Sequence, residues 1–541
     1  MRERNLMTCR LRTVLACVPV LLVACSAAGQ TVGSITLSQG MILERTLGPL
    51  DEHVYTADLD GGSAIIGEAD QDGIDLVIDV FAPNKQSVAH LDSPNGTQGA
   101  EPIDFTAPLT GTYRFVVTAS DKSARPGRYV MRIEQILSTA NNARRLARQA
   151  YPVKVLYDLW EASFTDPTAV DRFIATRKGK TPVIDATPVS ASETRVTYIC
   201  LGDRDTERVV LYGGPDFGVV MRRLGRTNLF LGTQLVANDA RFEYSFVLRE
   251  VHRFGPNGEV EITEGARTGP WLLEMPDAPK QPDVVVKDGV AKGKTVTATI
   301  KSTILSEDRS VTVYTPAGYD GKTACNLLVV FDGATYGGQP GQEPAEIPAP
   351  AILDNLIAEK KIGPTVAILV PSMGKRNRDL TGSKPFADFI AGEVVPWARS
   401  HYTILPGAGS VVMAGSSLGG FAASWCAFEH PEAIGNVLSQ SGAYWVTKDW
   451  QSVRPPYPRE TGMMIEMFKG RERLPIRFYI DVGRYDLGAA LLGSNRELRD
   501  VLQLKGYDVD YRELDGGHDY EQWRGSLSDG LVSLLGRKGG G

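Results

Sequence analysis

Histidine and cysteine are both scarce in this chain of 541 residues, which holds six of each. The cysteines show no CxxC or other metal-ligand spacing, so neither a disulfide framework nor a thiolate metal site is implied. A basic excess is also missing. Lys and Arg number 58 against 64 Asp and Glu, a net charge of −6, and phosphate binding normally shows as a basic domain or stripe, so a nucleic-acid partner is not expected. Long apolar runs are nearly absent too: the one near the start, Val14–Ala24, is too short to span a bilayer in the mature protein. What is present is a globular composition, 43% hydrophobic and 23% charged, which excludes a mostly disordered chain and a polytopic membrane protein. At roughly 150 residues per domain, the length calls for three or four domains.

The first 25 residues depart from this average. Arg2, Arg4, Arg10 and Arg12 precede the apolar run, and small or polar residues follow it, the three-part layout of a secretory leader. Its end, Leu22-Val23-Ala24-Cys25, resembles the bacterial lipobox, which implies cleavage before Cys25 and a diacylglyceryl anchor on its sulfur. Cleavage near Ala27-Ala28-Gly29 is the alternative. The chain is therefore expected to be exported, as a periplasmic or outer-membrane-associated lipoprotein or as a secreted protein. Once Cys9 and Cys17 leave with the leader, Cys200, Cys325 and Cys426 read as buried free thiols.

Residues 31–137 alternate polar and apolar in short runs, such as 74–84, 111–120 and 127–136, separated by Gly, Asn, Asp and Pro. That pattern reads as an antiparallel sandwich. With Asp75-Leu76, Pro83-Asn84, Gly111-Thr112-Tyr113 and Gly127-Arg128-Tyr129, the segment resembles the bacterial pre-peptidase C-terminal domain. The resemblance implies a jelly-roll-like accessory module without chemistry of its own. Within it, Asp70, Asp72 and Asp75 have a spacing that can present oxygens to calcium, although the distal Glu of an EF-hand is absent. They are the candidates for a structural calcium; an acidic hairpin turn is the competing reading, and no cofactor is required otherwise.

Residues 138–180 read as a linker with a short helix. A second β-rich region, 181–280, contains the runs 193–203, 207–215 and 241–251. Its Gly213-Gly214 turn, Met221 with Leu224, and Asp239-Ala240-Arg241-Phe242 before Tyr244-Ser245-Phe246 resemble the immunoglobulin-like N-terminal domain of the enterochelin esterase family. Pro276, Pro279 and Pro282 then mark a linker. From 290 to 537 continuous Val/Ile/Leu runs alternate with helical segments, which means a mostly parallel sheet covered on both faces. The expected architecture is two β-sandwich modules followed by an α/β-hydrolase domain.

In that third domain Gly415-Ser416-Ser417-Leu418-Gly419 follows the apolar strand 411–414 and precedes a helical run 421–429. A G-x-S-x-G string between strand and helix makes the tight elbow that projects a serine above a sheet edge, with Ser417 as nucleophile and Ser416 pointing away. A serine hydroxyl needs a base to take its proton. Elimination among six histidines leaves one. His53 and His90 lie in the first sandwich and His252 in the second, His401 ends a helix before the elbow, and His430 closes the helix after it. His518, in the Gly-rich loop 515–520 after the last apolar strand, stands where an α/β-hydrolase places its base. The orienting acid should lie between them in chain order, beyond the penultimate strand. Asp486 meets that requirement, Asp481 within the strand is the alternative, and Glu497 comes third. The oxyanion donors are expected from the N–H of Leu418 and from the loop at Gly333 and Ala334.

Phe331-Asp332-Gly333, Arg378-Asp379-Leu380, the elbow itself and Ser439-Gln440-Ser441-Gly442 with Trp445 resemble the esterase D and enterochelin (ferric-siderophore) esterase family of α/β-hydrolases. That resemblance implies ester hydrolysis, with cyclic catecholate trilactones as the best-known substrates. Export and the extra sandwich keep polysaccharide-linked feruloyl or acetyl esters as the alternative. A surface-anchored binding protein with an inert hydrolase domain, or a serine peptidase, is the reading from another class. Lys375, Arg376 and Arg378 follow a strand at the carboxyl edge of the sheet, where open α/β folds bind ligands. They are the candidates for holding an anionic ferric catecholate, with Trp445 or Tyr444 stacking on its ring; the competing reading pairs Arg378 with Asp379 and buries Trp445.

Overall fold

The computed structural model describes residues 34–177, 181–203, 205–216, 218–254, 259–337, 345–448, 461–487 and 489–536. The leader and Cys25 lie outside the described residues, among which no helix is long and apolar enough to cross a membrane. Cys200, Cys325 and Cys426 are buried and free.

The chain divides into two compact units between Asp166 and Pro167. In the first unit, nine strands between Ile35 and Leu137 form a five-stranded and a four-stranded sheet. The strand Gly127–Leu137 shows why they close on each other. Its alternate residues Tyr129, Met131 and Ile133 are buried with Tyr55, Tyr113 and Phe115 of the other sheet, because successive strand side chains point to opposite faces. Two helices follow, Thr139–Ala150 and Lys154–Ala162. The Ser138 hydroxyl caps the first by accepting from the Asn141 N–H at 3.4 Å. The segment read as a linker with a short helix thus carries two helices in this unit.

The calcium candidates are not gathered around a common point. Asp70 and Asp72 end the strand Ala64–Asp72 and pair with Arg132 and Arg128 at 3.3 and 3.5 Å. Asp75 accepts instead from the Ser120 hydroxyl at 2.6 Å. The turn is organised by Gln71, whose Oε1 accepts from the Leu76 N–H and whose Nε2 donates to Asn95. Among the described residues no three His, Cys, Asp or Glu side chains are placed to share a metal.

The second unit opens with the helix Ala169–Arg177. Two four-stranded sheets between Val183 and Glu274 then enclose a core that includes Tyr198, Leu211, Phe230 and Phe242. The remainder is an eight-stranded sheet. We number its strands β1 Lys294–Ser302, β2 Glu307–Thr315, β3 Asn326–Phe331, β4 Thr365–Val370, β5 Val411–Ser416, β6 Asn436–Gln440, β7 Arg477–Gly483 and β8 Asp508–Leu514. The sheet order is β1-β2-β4-β3-β5-β6-β7-β8, antiparallel as far as β4 and parallel from there on. Every residue of β4, β5 and β6 is buried, as required of strands covered by helices on both faces. One face packs on Phe421, Ala422 and Phe386, the other on Leu353, Trp523 and Leu527. The chain passes from β3 to β4 on one side and then to β5 on the other, so the carboxyl ends of β3 and β5 flank the crevice where such sheets place their ligands.

Candidate active site

Ser417 lies at the end of β5 and caps the helix α2, Leu418–Glu429; the shorter helix α1, Gly333–Gly337, follows β3. Its backbone sits at φ 57° and ψ −120°, a conformation that costs a non-glycine residue on the order of 1–3 kcal/mol and persists only when its surroundings over-determine it. They do. The Ser417 N–H donates to the Gln440 carbonyl at 2.9 Å, and its own carbonyl accepts from Phe421 and Ala443 at 3.2 and 3.0 Å. Neighbouring glycines permit the close approach. A Cβ on Gly415 would stand 2.7 Å from the Gly419 carbonyl carbon, and one on Gly420 would stand 2.5 Å from the Ser439 hydroxyl. Ser416 is buried in β5, whereas Ser417 keeps part of its surface open.

His518 follows β8 and precedes the helix α4, Tyr520–Leu535, with α3, Ala489–Leu504, between β7 and β8. Its Nδ1 is 2.7 Å from Asp486 Oδ1. Asp486 is fully buried while His518 remains one-fifth exposed, so the imidazole is anchored at one nitrogen and reachable at the other. The edge of its ring relation to Trp523, 4.7 Å between centroids at 85°, fixes its tilt. Asp481 sits in β7, fully buried, and burial, opposed in part by the Ser526 hydroxyl, pushes its carboxyl up to about 8. Glu497 lies on α3 and pairs with Lys469. His53, His90, His401 and His430 are bonded to Tyr129, Asp79, Trp397 and Asp388 respectively.

Leu418 opens α2, and Gly333 and Ala334 open α1. First-turn N–H groups have no intrahelical acceptor and lie at the positive end of the helix dipole, so they are suited to a developing oxyanion. The turn that presents Gly333 and Ala334 is held from the side. Asp332, at φ 53°, accepts both from Arg376 Nε at 3.0 and 2.9 Å and from the Ser372 hydroxyl.

That pairing changes the reading of the basic loop. Arg376 is committed to Asp332, with Nη2 at 2.8 Å from Oδ2. Arg378 bonds Asp379 and Glu307 at 2.7 and 2.9 Å, and Lys375 bonds Glu307. Hydrogen bonds from Lys375 and Arg378 hold Glu307 down at about 2. Buried Arg309 bridges Glu307 and Asp379 from below at 2.7 and 2.6 Å. Four cations thus meet three carboxylates, and the loop is a salt-bridge network rather than an open anion site. Tyr444 is likewise not a substrate contact. It is fully buried, with its hydroxyl 2.7 Å from those of Ser424 and Ser439. Trp445 is half-buried against the same core.

A further residue emerges only in three dimensions. The Gln440 side chain, fully buried, accepts from the Tyr336 hydroxyl at 2.8 Å and donates to the Trp523 carbonyl and the Ser526 hydroxyl at 2.7 and 2.6 Å. It thereby ties α1, beside the oxyanion turn, to α4, which carries Trp523 against His518, while its main chain holds Ser417. Trp523 Nε1 donates in turn to the Ser441 hydroxyl at 3.1 Å. The Ser-Gln-Ser string marked this spot; nothing in the sequence marked Tyr336, and an aromatic one turn into the helix after the base was the available cue for Trp523.

Residues 302–534 match the family described as Esterase. The iron(III) enterobactin esterase of Escherichia coli strain K12 is 27% identical over 270 residues, 48% of this chain and 62% of that one. The iron(III) salmochelin esterase of Escherichia coli O6:H1 is 29% identical over 239 residues, 43% and 56% of the two chains. The chain therefore spans about three fifths of the length of these curated relatives. The crystal structure of ferric enterobactin esterase from Salmonella typhimurium superposes with a TM-score of 0.52 at 21% identity, over 66% of this chain and 98% of that one. That share is larger than the α/β domain alone, and at this identity it speaks for the fold. The eight-stranded domain is of the α/β-hydrolase type.

Proposed function

We propose that this chain is a serine esterase that hydrolyses carboxylic esters through an acyl-enzyme on Ser417. The observation that carries this reading is the strained, pinned Ser417 at the amino end of a helix, on the same sheet edge as a histidine bonded to a buried aspartate. His518 Nε2 takes the Ser417 proton as Oγ attacks the ester carbonyl, and the Asp486 carboxylate accepts a hydrogen bond from Nδ1–H, which stays on the ring, and stabilises the imidazolium. The N–H of Leu418, with those of Gly333 and Ala334, receives the oxyanion, each donor lowering the barrier by about 3 kcal/mol. His518 then returns the proton to the departing alkoxide. Water repeats the sequence on the acyl group and frees Ser417.

The substrate class we infer is a ferric catecholate trilactone, supported by the names of the curated relatives and by their match across the catalytic domain. Neutral feruloyl or acetyl esters form the second reading, favoured by one observation: each cation of the basic loop is already paired with Glu307, Asp332 or Asp379. The leader supports export, with the lipid anchor on Cys25 as part of the same proposal. The purified protein should hydrolyse p-nitrophenyl butyrate, and Ser417→Ala should abolish turnover while leaving the circular dichroism unchanged. Undiminished turnover in that variant refutes the nucleophile. Relative kcat/KM on a ferric catecholate trilactone, a feruloyl sugar ester and an acetylated xylo-oligosaccharide decides between the substrate readings.

A further inference from the structure

The second β-domain reaches the catalytic loops through main-chain bonds. Its strand Arg241–Phe254 starts beside the loop that carries His518. Arg241 forms a parallel bridge with Gly516, and its N–H donates to the Asp515 carbonyl at 2.9 Å. Two residues on, the Glu243 N–H donates to Asp519 Oδ2 at 3.1 Å. Residues 241 and 243 face the same way because strand groups alternate with a period of two. Gly516 is the residue that permits this approach, since a Cβ there would lie 2.8 Å from the Arg241 carbonyl oxygen. The other oxygen of Asp519 caps α4 by accepting from the Gln522 N–H at 3.0 Å.

The acid loop is held by the same domain. Tyr485, next to Asp486, accepts from the Ala237 N–H at 3.0 Å and packs edge-on against Phe242 at 5.4 Å between centroids. Its own N–H donates to the Gly516 carbonyl at 3.0 Å, joining the two loops. The linker after the domain adds a third tie, as Gln281 donates to the Glu521 carbonyl at 2.7 Å and accepts from Arg524 at 2.9 Å.

Resting on the esterase reading above, we propose that the second β-domain is a positioning element of the catalytic pair, clamping the Asp486 and His518 loops in register through the Tyr485 hydroxyl and the Asp519 carboxylate. Neither residue touches the reacting atoms. Both act through their neighbours, and a base displaced by about 1 Å loses on the order of a hundredfold in rate.

The test uses the full chain. Tyr485→Phe keeps the ring against Phe242 and removes the acceptor of the Ala237 bond. Asp519→Asn keeps one oxygen for the α4 cap and loses the second for Glu243. Two readouts separate clamping from a merely structural role: kcat against KM on p-nitrophenyl butyrate, and the low-field proton resonance of His518 Nδ1, assigned by its absence in Asp486→Asn. In the double variant kcat should fall roughly 10- to 100-fold with KM unchanged, and the Nδ1 resonance should broaden or disappear. A double variant that melts earlier but keeps the wild-type kcat and a sharp resonance overturns the clamp. Should the double variant not fold, Tyr485→Phe alone carries both readouts, with a several-fold fall in kcat expected and none refuting. Absence of ester hydrolysis by the wild type would instead defeat the esterase reading, and the resonance would still decide the clamp.

Discussion

Two aspartates five residues apart have opposite environments, and exchanging each for asparagine separates their roles. Asp481 is buried without a cation bonded to it, and its carboxyl is pushed from 3.8 up to about 8 by burial. The folded protein therefore binds a proton that the unfolded chain releases near pH 4. Stability contributed by the protonated form is complete below that point, and is lost progressively as pH rises from about 4 to about 8. At 1.36 kcal/mol per unit, the loss from Asp481 comes to about 4 kcal/mol at pH 7 and levels off near 6 above pH 8. Asp481→Asn stays neutral, so its melting temperature should exceed that of the wild type by a margin that widens between pH 5 and 8, and kcat should remain near the wild-type value. Asp486→Asn should do the reverse: with the His518 Nδ1 proton left without its carboxylate, kcat should drop by about 10³- to 10⁴-fold. Differential scanning calorimetry across pH and steady-state kinetics on p-nitrophenyl butyrate measure both. A margin that is flat with pH refutes the buried neutral carboxyl, and a loss of kcat in Asp481→Asn equal to that of Asp486→Asn refutes the choice of acid.

Arg376→Leu should lower kcat about 10-fold or more on anionic and neutral esters alike, because it releases the Asp332 turn that presents the Gly333 and Ala334 donors. A rise in KM confined to the anionic substrate would restore the loop as an anion site. Tyr444→Phe should cost about 1–3 kcal/mol of stability, since it leaves the Ser424 and Ser439 hydroxyls buried without their shared partner, with KM unaffected in the same assays. A selective change in KM for aromatic esters would return Tyr444 to the substrate.

The parts of the site that were legible in sequence are those encoded locally. Ser417 has its glycines within two positions, and His518 was isolated because so few histidines compete with it. Asp486 is preferred to Asp481 because it lies in the loop beyond the strand, but both stay open until the 2.7 Å contact with His518 Nδ1 is seen. The basic loop was illegible for the opposite reason. Glu307, which pairs with Lys375 and Arg378, lies about seventy residues upstream on β2, and Asp332 lies at the end of β3. Their approach is a product of strand order, which charge counting along the chain cannot see. Tyr444 failed similarly. Named in sequence as a ring to stack on the substrate, it lies in the core, where α2 brings Ser424 to its hydroxyl.

The two strings at the site divide one physical task. G-x-S-x-G and the glycine after it supply the capacity to bend, since Gly415 and Gly420 leave room for main chain and hydroxyl to approach where a Cβ would collide. Capacity alone does not hold a serine at φ 57° against a cost on the order of 1–3 kcal/mol. The holding comes from the segment after β6, whose Gln440 carbonyl and Ala443 N–H take up the polar groups of the Ser417 backbone. The Gln440 side chain then fastens that segment to α1 and α4. A longer side chain at Gly442 would meet the Ser439 hydroxyl at 2.4 Å and the Tyr444 ring at 2.5 Å, so the glycine within the second string is required by the same packing. The elbow glycines therefore permit a sharp turn from strand to helix, whereas Ser-Gln-Ser-Gly at the next strand supplies, in this chain, the bonds and the packing that keep that turn strained.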